Sequence, residues 1–461
     1  MPLVSTITVR LTFIISLLGF VSASAQENSP YSRYGIGDLY PTQNVVNKGF
    51  GGLTAAYTDP TGQSINFSNP ASYADFQRIK NVGGVVLYDL GINIDSRSLR
   101  SKLPVRKYSS AAFIPSYVSL GVPISKGLGG ALGIRPFSRI NYSIIQSTRI
   151  SAIDSAQYLY EGEGGLNQAF IGLGKRWGNL SLGFNTGYMF GKKKTNTRLN
   201  IVNTDTAYDP YYLKSNTETT TYFGKPFLSL GGLYDIKLKS KPIQKDKLQE
   251  HYWVRLGATV LFGQTFNSSQ DLLRETFEYD ANGGSVSVDS VYKTTGTAVK
   301  IKIPSTYTIG AVFHKTLSGN NGTFDVWSIG AEYEMSKWTQ YRYDGAADKL
   351  NDYWQVRVGT QFKPSLTSST LFGRSTMRLG VNYGKDYINA DNNGLKTFSG
   401  TVGMGIPIKP RTSYNSQFTN INFALEFGKR GSNVNNVTES YFRLSVGFSL
   451  SDIWFVKRKY D

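Results

Sequence analysis

Cysteine is absent from this chain and histidine occurs only twice, as His251 and His314. The first absence excludes disulfides, thiol nucleophiles and thiolate metal ligands. Two isolated histidines leave no HExxH or HxxxH spacing, so neither a metal site nor a cofactor is expected. A Ser–His hydrolase would need one of them to face a serine. His251 falls at a predicted turn and His314 near a lumenal strand end, so the chain is not expected to be an enzyme. After residue 25 there is no apolar run of the roughly 18 residues that a spanning helix requires. Acidic residues are few: the net charge is +18, yet like charges never form a long block. Nucleic acid would call for a clustered basic face, and none is legible. Attraction to the anionic head groups of outer-membrane lipid accounts for the charge better.

The chain begins with a leader. Arg10 is followed by an apolar run from Leu11 to Val21 and then by Ala23-Ser24-Ala25 before Gln26. This is the layout of a signal peptide over 1–25, which implies export. Residues 26–80 alternate weakly and are rich in turn formers, and read as a compact segment outside the wall. From residue 81 to 461 the writing changes to period two. Phe442-Arg443-Leu444-Ser445-Val446-Gly447-Phe448-Ser449-Leu450 alternates apolar and polar throughout. About fourteen such segments follow one another, from about 82–94 to about 438–451, rich in glycine and aromatics. A strand with lipid on one side and a wet lumen on the other is written this way. Lipid offers no partner to an unpaired amide, so the sheet must close. The expected fold is all-β, a closed antiparallel transmembrane β-barrel of about 14 strands. Connections after even-numbered strands are mostly short and those after odd-numbered strands mostly longer, the longest at about 268–298. This parity puts both termini in the periplasm.

Two sets of residues carry a family resemblance. Gly51-Gly52-Leu53-Thr54-Ala55-Ala56 leads to Asn69-Pro70-Ala71 just ahead of the first strand. Far downstream, Ile303-Pro304 opens a strand, and the next one ends Trp338-Thr339-Gln340-Tyr341. Together these resemble the FadL-type outer-membrane transport family, with Ile303 for the usual Leu and Thr339 for the usual Ser. The resemblance implies a barrel plugged by its own N-terminal segment, 26–80, with Gly51, Gly52, Asn69, Pro70 and Ala71 in the hatch. It also implies passage of a hydrophobic, fatty-acid-like ligand that leaves sideways through a kink in the third strand. Some members of that family dock to protein export machinery instead. The tail Trp454-Phe455-Val456-Lys457-Arg458-Lys459-Tyr460-Asp461 keeps open the alternative of a docking platform with periplasmic or outer-membrane protein partners.

Pro136 sits in that third strand, where a missing amide opens a gap or makes a bulge. Gly133 and Pro136 are therefore candidates for a lateral opening. On this reading, Pro136→Ala with Gly133→Val restores pairing and narrows the gap. On the later strands, lipid-facing parity for Trp327, Ile329, Ala331 and Tyr333 turns Glu332 and Glu334 into the lumen. The same parity turns Arg357, Arg378, Glu426 and Arg443 inward. They form either a paired belt that braces the plug or a receptor for a ligand carboxylate. Lys237, Lys239, Lys241, Lys245 and Lys247 gather at one predicted periplasmic turn, as a solvated face or a dock for an acidic partner.

Overall fold

A computed structural model describes residues 29–454, apart from 60–61, 77, 80–82, 151–152, 203–212, 244–247, 283, 320–321, 365–369, 391 and 410–416. Residues 1–25, expected to be a leader, Lys245, Lys247 and residues 455–461 of the C-terminal tail lie outside the described residues.

Two short strands precede the wall, β1 (Asp38–Leu39) and β2 (Arg78–Ile79). The wall begins with β3 (Gly83–Lys102), β4 (Val105–Ser125), β5 (Leu128–Ile150), β6 (Ile153–Trp177), β7 (Leu180–Val202) and β8 (Lys214–Ile243). Next come β9 (Leu248–Leu261), β10 (Gln264–Tyr279), β11 (Ser285–Ile303) and β12 (Thr306–Gly319). The wall ends with β13 (Gly322–Ser336), the short β14 (Arg342–Tyr343), β15 (Tyr353–Phe362), β16 (Thr376–Ala390), β17 (Asn393–Lys409), β18 (Thr419–Arg430) and β19 (Val437–Trp454).

Neighbouring wall strands pair antiparallel, and β19 returns to β3 in unbroken register from Val437↔Ser101 to Trp454↔Gly84. The sheet is therefore closed. β9 and β10 follow one another up the wall, interrupted at Phe262-Gly263, and β11 and β12 come back down, interrupted at Pro304-Ser305. β9 pairs with β8 and β12, while β10 pairs with the first part of β8 and with β11. Proline has no amide to give to a ladder, and the break falls at Pro304. Counting each of these two runs once and leaving out the two-residue β14, which pairs on β11 while β13 pairs directly with β15, the wall has fourteen staves. Most of the interval 268–298, expected as the longest loop, is instead taken up by β10 and β11, which pair from Gln264↔Ile303 to Tyr279↔Ser285. His251, expected at a turn, lies within β9.

Alternation sets the parity. On β19, Phe442 and Leu450 are exposed while Arg443, Ser445 and Ser449 are buried. On β13, Ile329, Ala331 and Tyr333 face outward and Glu332 and Glu334 inward. A cation turned to lipid at mid-depth would cost about 2–4 kcal/mol, which fixes this register against a one-residue slip.

Candidate functional site

The lumen is occupied by the chain's own residues 29–76. Asn44 caps a short helix, Val45–Gly49, by accepting from the amide of Asn47 at 2.7 Å. Gly51 and Gly52 follow with φ of 73° and 79°, a left-handed turn that side chains resist. Asn69 caps a second helical turn, Pro70–Asp75, through the amide of Ala71 at 3.1 Å. Its own amide group donates to the carbonyl of Gly232 on the wall, at 3.3 Å. Pro70 and Ala71 press on the wall where a Cβ on Gly183 would come within 2.4 Å of Pro70. Gly51 does the same at Gly380, at 2.2 Å. Glycine on the lumenal side of the staves thus makes room for backbone.

Charge ties this inner segment to the wall at three places. The Glu332 carboxylate accepts from the amides of Thr54 and Ala55, at 2.6 and 2.5 Å. It also pairs with Arg357 at 2.7 Å, and Arg357 reaches Glu334 at 2.9 Å. Asp38 lies between Arg430, at 2.7 Å, and Arg97, at 3.1 Å. Asp75 pairs with Arg255 at 2.9 Å and with Arg176. The remaining belt residues also find partners. Arg443 grips Asp95 at 2.6 and 2.9 Å and reaches Glu426 at 3.1 Å. Arg378 donates to Gln361 at 2.8 Å, and the Tyr57 hydroxyl donates to the same oxygen at 2.6 Å. All six belt residues point inward and are partnered. The Asp38 and Asp75 clusters were not legible in the sequence, because both carboxylates sit in a segment without periodicity.

Beside this belt the wall is split. The β4–β5 ladder ends at Val118↔Ile134, although β4 continues to Val105 and β5 to Ile150. Gly133 is in the last pairs, opposite Ser119, and Pro136 lies just past the end. On its other side β5 stays paired with β6, with a bulge between Pro136 and Ser138. The inner segment takes the place of β4. β1 pairs Asp38↔Arg139 and Leu39↔Ser138, the Tyr40 amide donates to the Phe137 carbonyl, and the Ser29 amide donates to the Asn141 carbonyl. Tyr40 packs against Ala112 and Ile114 of β4 and so bridges the seam. One expectation reverses here. A Cβ on Gly133 would stand 2.5 Å from the Val118 carbonyl oxygen, so valine there pushes β4 away instead of drawing it in.

Between the inner segment and the wall is a cavity of about 260 Å³, lined among others by Tyr40, Lys48, Arg97, Arg135, Glu334 and Arg430. Its lining mixes charged and hydroxylated side chains with apolar ones such as Leu39, Phe137, Leu261 and Trp338. Lys48 donates to Asn93 and Ser116, at 3.0 and 3.3 Å. Burial, and then the nearby Arg443, lower its pKa to about 7. Among the described residues no group of His, Cys, Asp and Glu is placed to hold a metal. His314 and Ser328 both bond to Asp325 and not to each other. Ser240 and His251 meet at 2.8 Å.

Closed wall, inward belt and filled lumen define the class: a closed β-barrel that holds its own N-terminal segment, with a FadL-like fold. The chain belongs to the BamG family, whose model matches residues 6–461. The fold is similar to that of a FadL homologue from Pseudomonas aeruginosa, 12% identical, with a TM-score of 0.51 over 91% of this chain and 100% of that one. The Pseudomonas putida toluene transporter TodX is 12% identical, with a TM-score of 0.48 over 90% and 99%. The CymD monoaromatic hydrocarbon channel is 14% identical, with a TM-score of 0.48 over 91% and 99%. No curated protein matches the chain.

Proposed function

We propose that this barrel is a non-transporting FadL-like subunit, a docking platform in an outer-membrane protein export or assembly complex. In this reading 1–25 is a removed leader, 26–80 is a standing plug and 81–461 is the wall, with both termini in the periplasm. The observation that carries it is the way the inner segment is fastened. A hatch that swings aside must break the contacts of Glu332 with Thr54 and Ala55, of Asp38 with Arg430, and of Asp75 with Arg255. Each of these contacts joins a buried charge of the wall to the inner segment, so all three must be lost together before the segment can move. The buried and half-buried charges in the cavity lining, among them Arg97, Glu334 and Arg430, support the same reading, since an oily ligand seated there would offer them no polar partner. No catalytic step is assigned.

One observation favours a second reading, the admission of hydrophobic small molecules with a lateral exit. It is the split between β4 and β5 at Gly133 and Pro136. Affinity purification from detergent-solubilised outer membrane, read by mass spectrometry, separates the two when joined to uptake of a fatty acid by liposomes holding the barrel alone. A stoichiometric protein partner with no uptake supports the platform. Uptake above that of empty liposomes, with no partner, overturns it.

A further inference from the structure

At the end of the barrel away from Trp454, the last described residue, two hairpin tips lie side by side, β3–β4 and β18–β19. Lys102 binds them together: its amide donates to the Asn436 carbonyl and its ammonium group to the Asn433 carbonyl. Arg100, Lys102, Arg106, Lys107 and Lys429 are all exposed there. No aspartate or glutamate occurs between Asp95 and Asp154. Asp95 and Glu439, the nearest acids on the same strands, are buried and committed to the lumenal pairs. Arg100 stands directly opposite Lys107 in the ladder. Like charges facing each other across a strand pair destabilise it, and no carboxylate among the described residues offsets them. Among these cations stand Leu103, 80% exposed, Val105, 77%, and Val434, 67%.

Height above the membrane selects the occupant. The outward apolar row of β3 is Leu90, Ile92 and Ile94, and Ile94 pairs with Leu444 of β19 and Phe113 of β4. Beyond it the outward positions are Ser96, Ser98 and Arg100. Exposed Phe442 of β19 pairs with Ser96 and carries the apolar band to that level; seven residues separate Ser96 from Leu103, and at ~3.3 Å per residue and a tilt of about 40° that raises the tip roughly 18 Å above the band. Head groups at the band edge are too low to meet it.

We infer that these two tips form a basic, apolar-studded docking surface for an acidic protein segment held outside the membrane. The inference rests on the platform reading and names a contact for it. Acidic side chains of the partner pair with Arg100, Arg106 and Lys107 and relieve the repulsion between Arg100 and Lys107. Its apolar residues cover Leu103, Val105 and Val434.

The test uses the full-length barrel in detergent and a triple variant, Arg100→Glu, Arg106→Glu and Lys107→Glu. Heat-modifiable gel migration verifies folding of both. The probe is a labelled synthetic peptide of alternating Glu and Leu, with a Gln–Leu peptide as control, read by fluorescence anisotropy. Binding of the acidic peptide to the parent, weakened about tenfold or more by the variant and by added salt, is expected. Equal binding of both peptides, or to both barrels, overturns the inference. So does a parent that binds phosphatidylglycerol vesicles, but not the acidic peptide, in a way the variant loses. The two barrels are also compared as baits for outer-membrane partners. A partner lost from the triple variant supports this surface. One retained by the variant overturns this surface and leaves the platform reading intact. A parent that recovers none overturns both.

Discussion

Glu332 and Arg357 meet 2.7 Å apart inside the barrel, and the same carboxylate holds the amides of Thr54 and Ala55. One side chain of the wall thus neutralises a second and fastens the inner segment.

Glu332→Ala leaves Arg357 with Glu334 and strips both amides of their acceptor. Unfolding in urea should show a loss of about 3–5 kcal/mol. The double variant Glu332→Met, Arg357→Met should lose less than the sum of the singles, because Glu332 and Arg357 are then removed together and only Glu334 is left without its arginine. Equal stability of Glu332→Ala and the parent would count against the fastening.

Asp38→Ala removes the carboxylate between Arg430 and Arg97 and loosens β1 from the seam. Glu439 and Asp386 still face Arg430, at 3.3 and 2.9 Å, so the destabilisation should sit near the low end of about 3–5 kcal/mol. Single-channel recording in planar bilayers should show more frequent opening. Unchanged conductance would mean that the seam is sealed by something else.

Gly133→Val should lengthen the split downward, since the new side chain collides with Val118 and Ser119. Pro136→Ala alone should change little, because β4 has already parted from β5 two residues earlier. Hydrogen exchange of the β5 amides near Gly133 checks both: faster in the first variant, unchanged in the second.

Lys48 supplies a pH dependence. Its pKa is about 7 in the folded protein against 10.5 in the unfolded chain. Between those values the unfolded state binds the extra proton, so stability rises with pH from about 7 to about 10.5 and is flat below. Lys48→Met should remove the slope and stabilise the barrel at pH 7 by a few kcal/mol, on the order set by 1.36 kcal/mol per unit. Urea midpoints measured at pH 6, 8 and 10 test the sign.

How much of this was readable in advance follows from periodicity. Strict alternation on β13 and β19 placed Glu332 and Arg443 in the lumen, because a one-residue slip would put charge on lipid. The hairpin of β10 and β11 was read as a loop for the converse reason. Register shifts at Gln270/Leu272, Arg274/Glu275 and Thr276/Phe277 break the period every few residues. A bulge adds one residue to one strand, which inverts the apparent face of everything after it. Asp38 and Asp75 escaped notice because an irregular segment carries no parity. Pro136 lies two residues past the end of the β4 ladder, and what takes the place of β4 there, Tyr40 and β1, lies about a hundred residues earlier in the chain.

The substitution of Ser29–Tyr40 for a wall strand bears on how the barrel is made. Ser29 also bonds to Glu439, and Tyr31 to the carbonyl of Val437, both on the last strand. The first described residues therefore touch both the seam at β5 and the stave that closes the cylinder. A sheet wrapped without them would leave the β5 edge bare, an arrangement that lipid penalises. Removing residues 29–40 is therefore expected to weaken closure of the cylinder as well as to empty the lumen, which heat-modifiable gel migration of the truncated barrel would read.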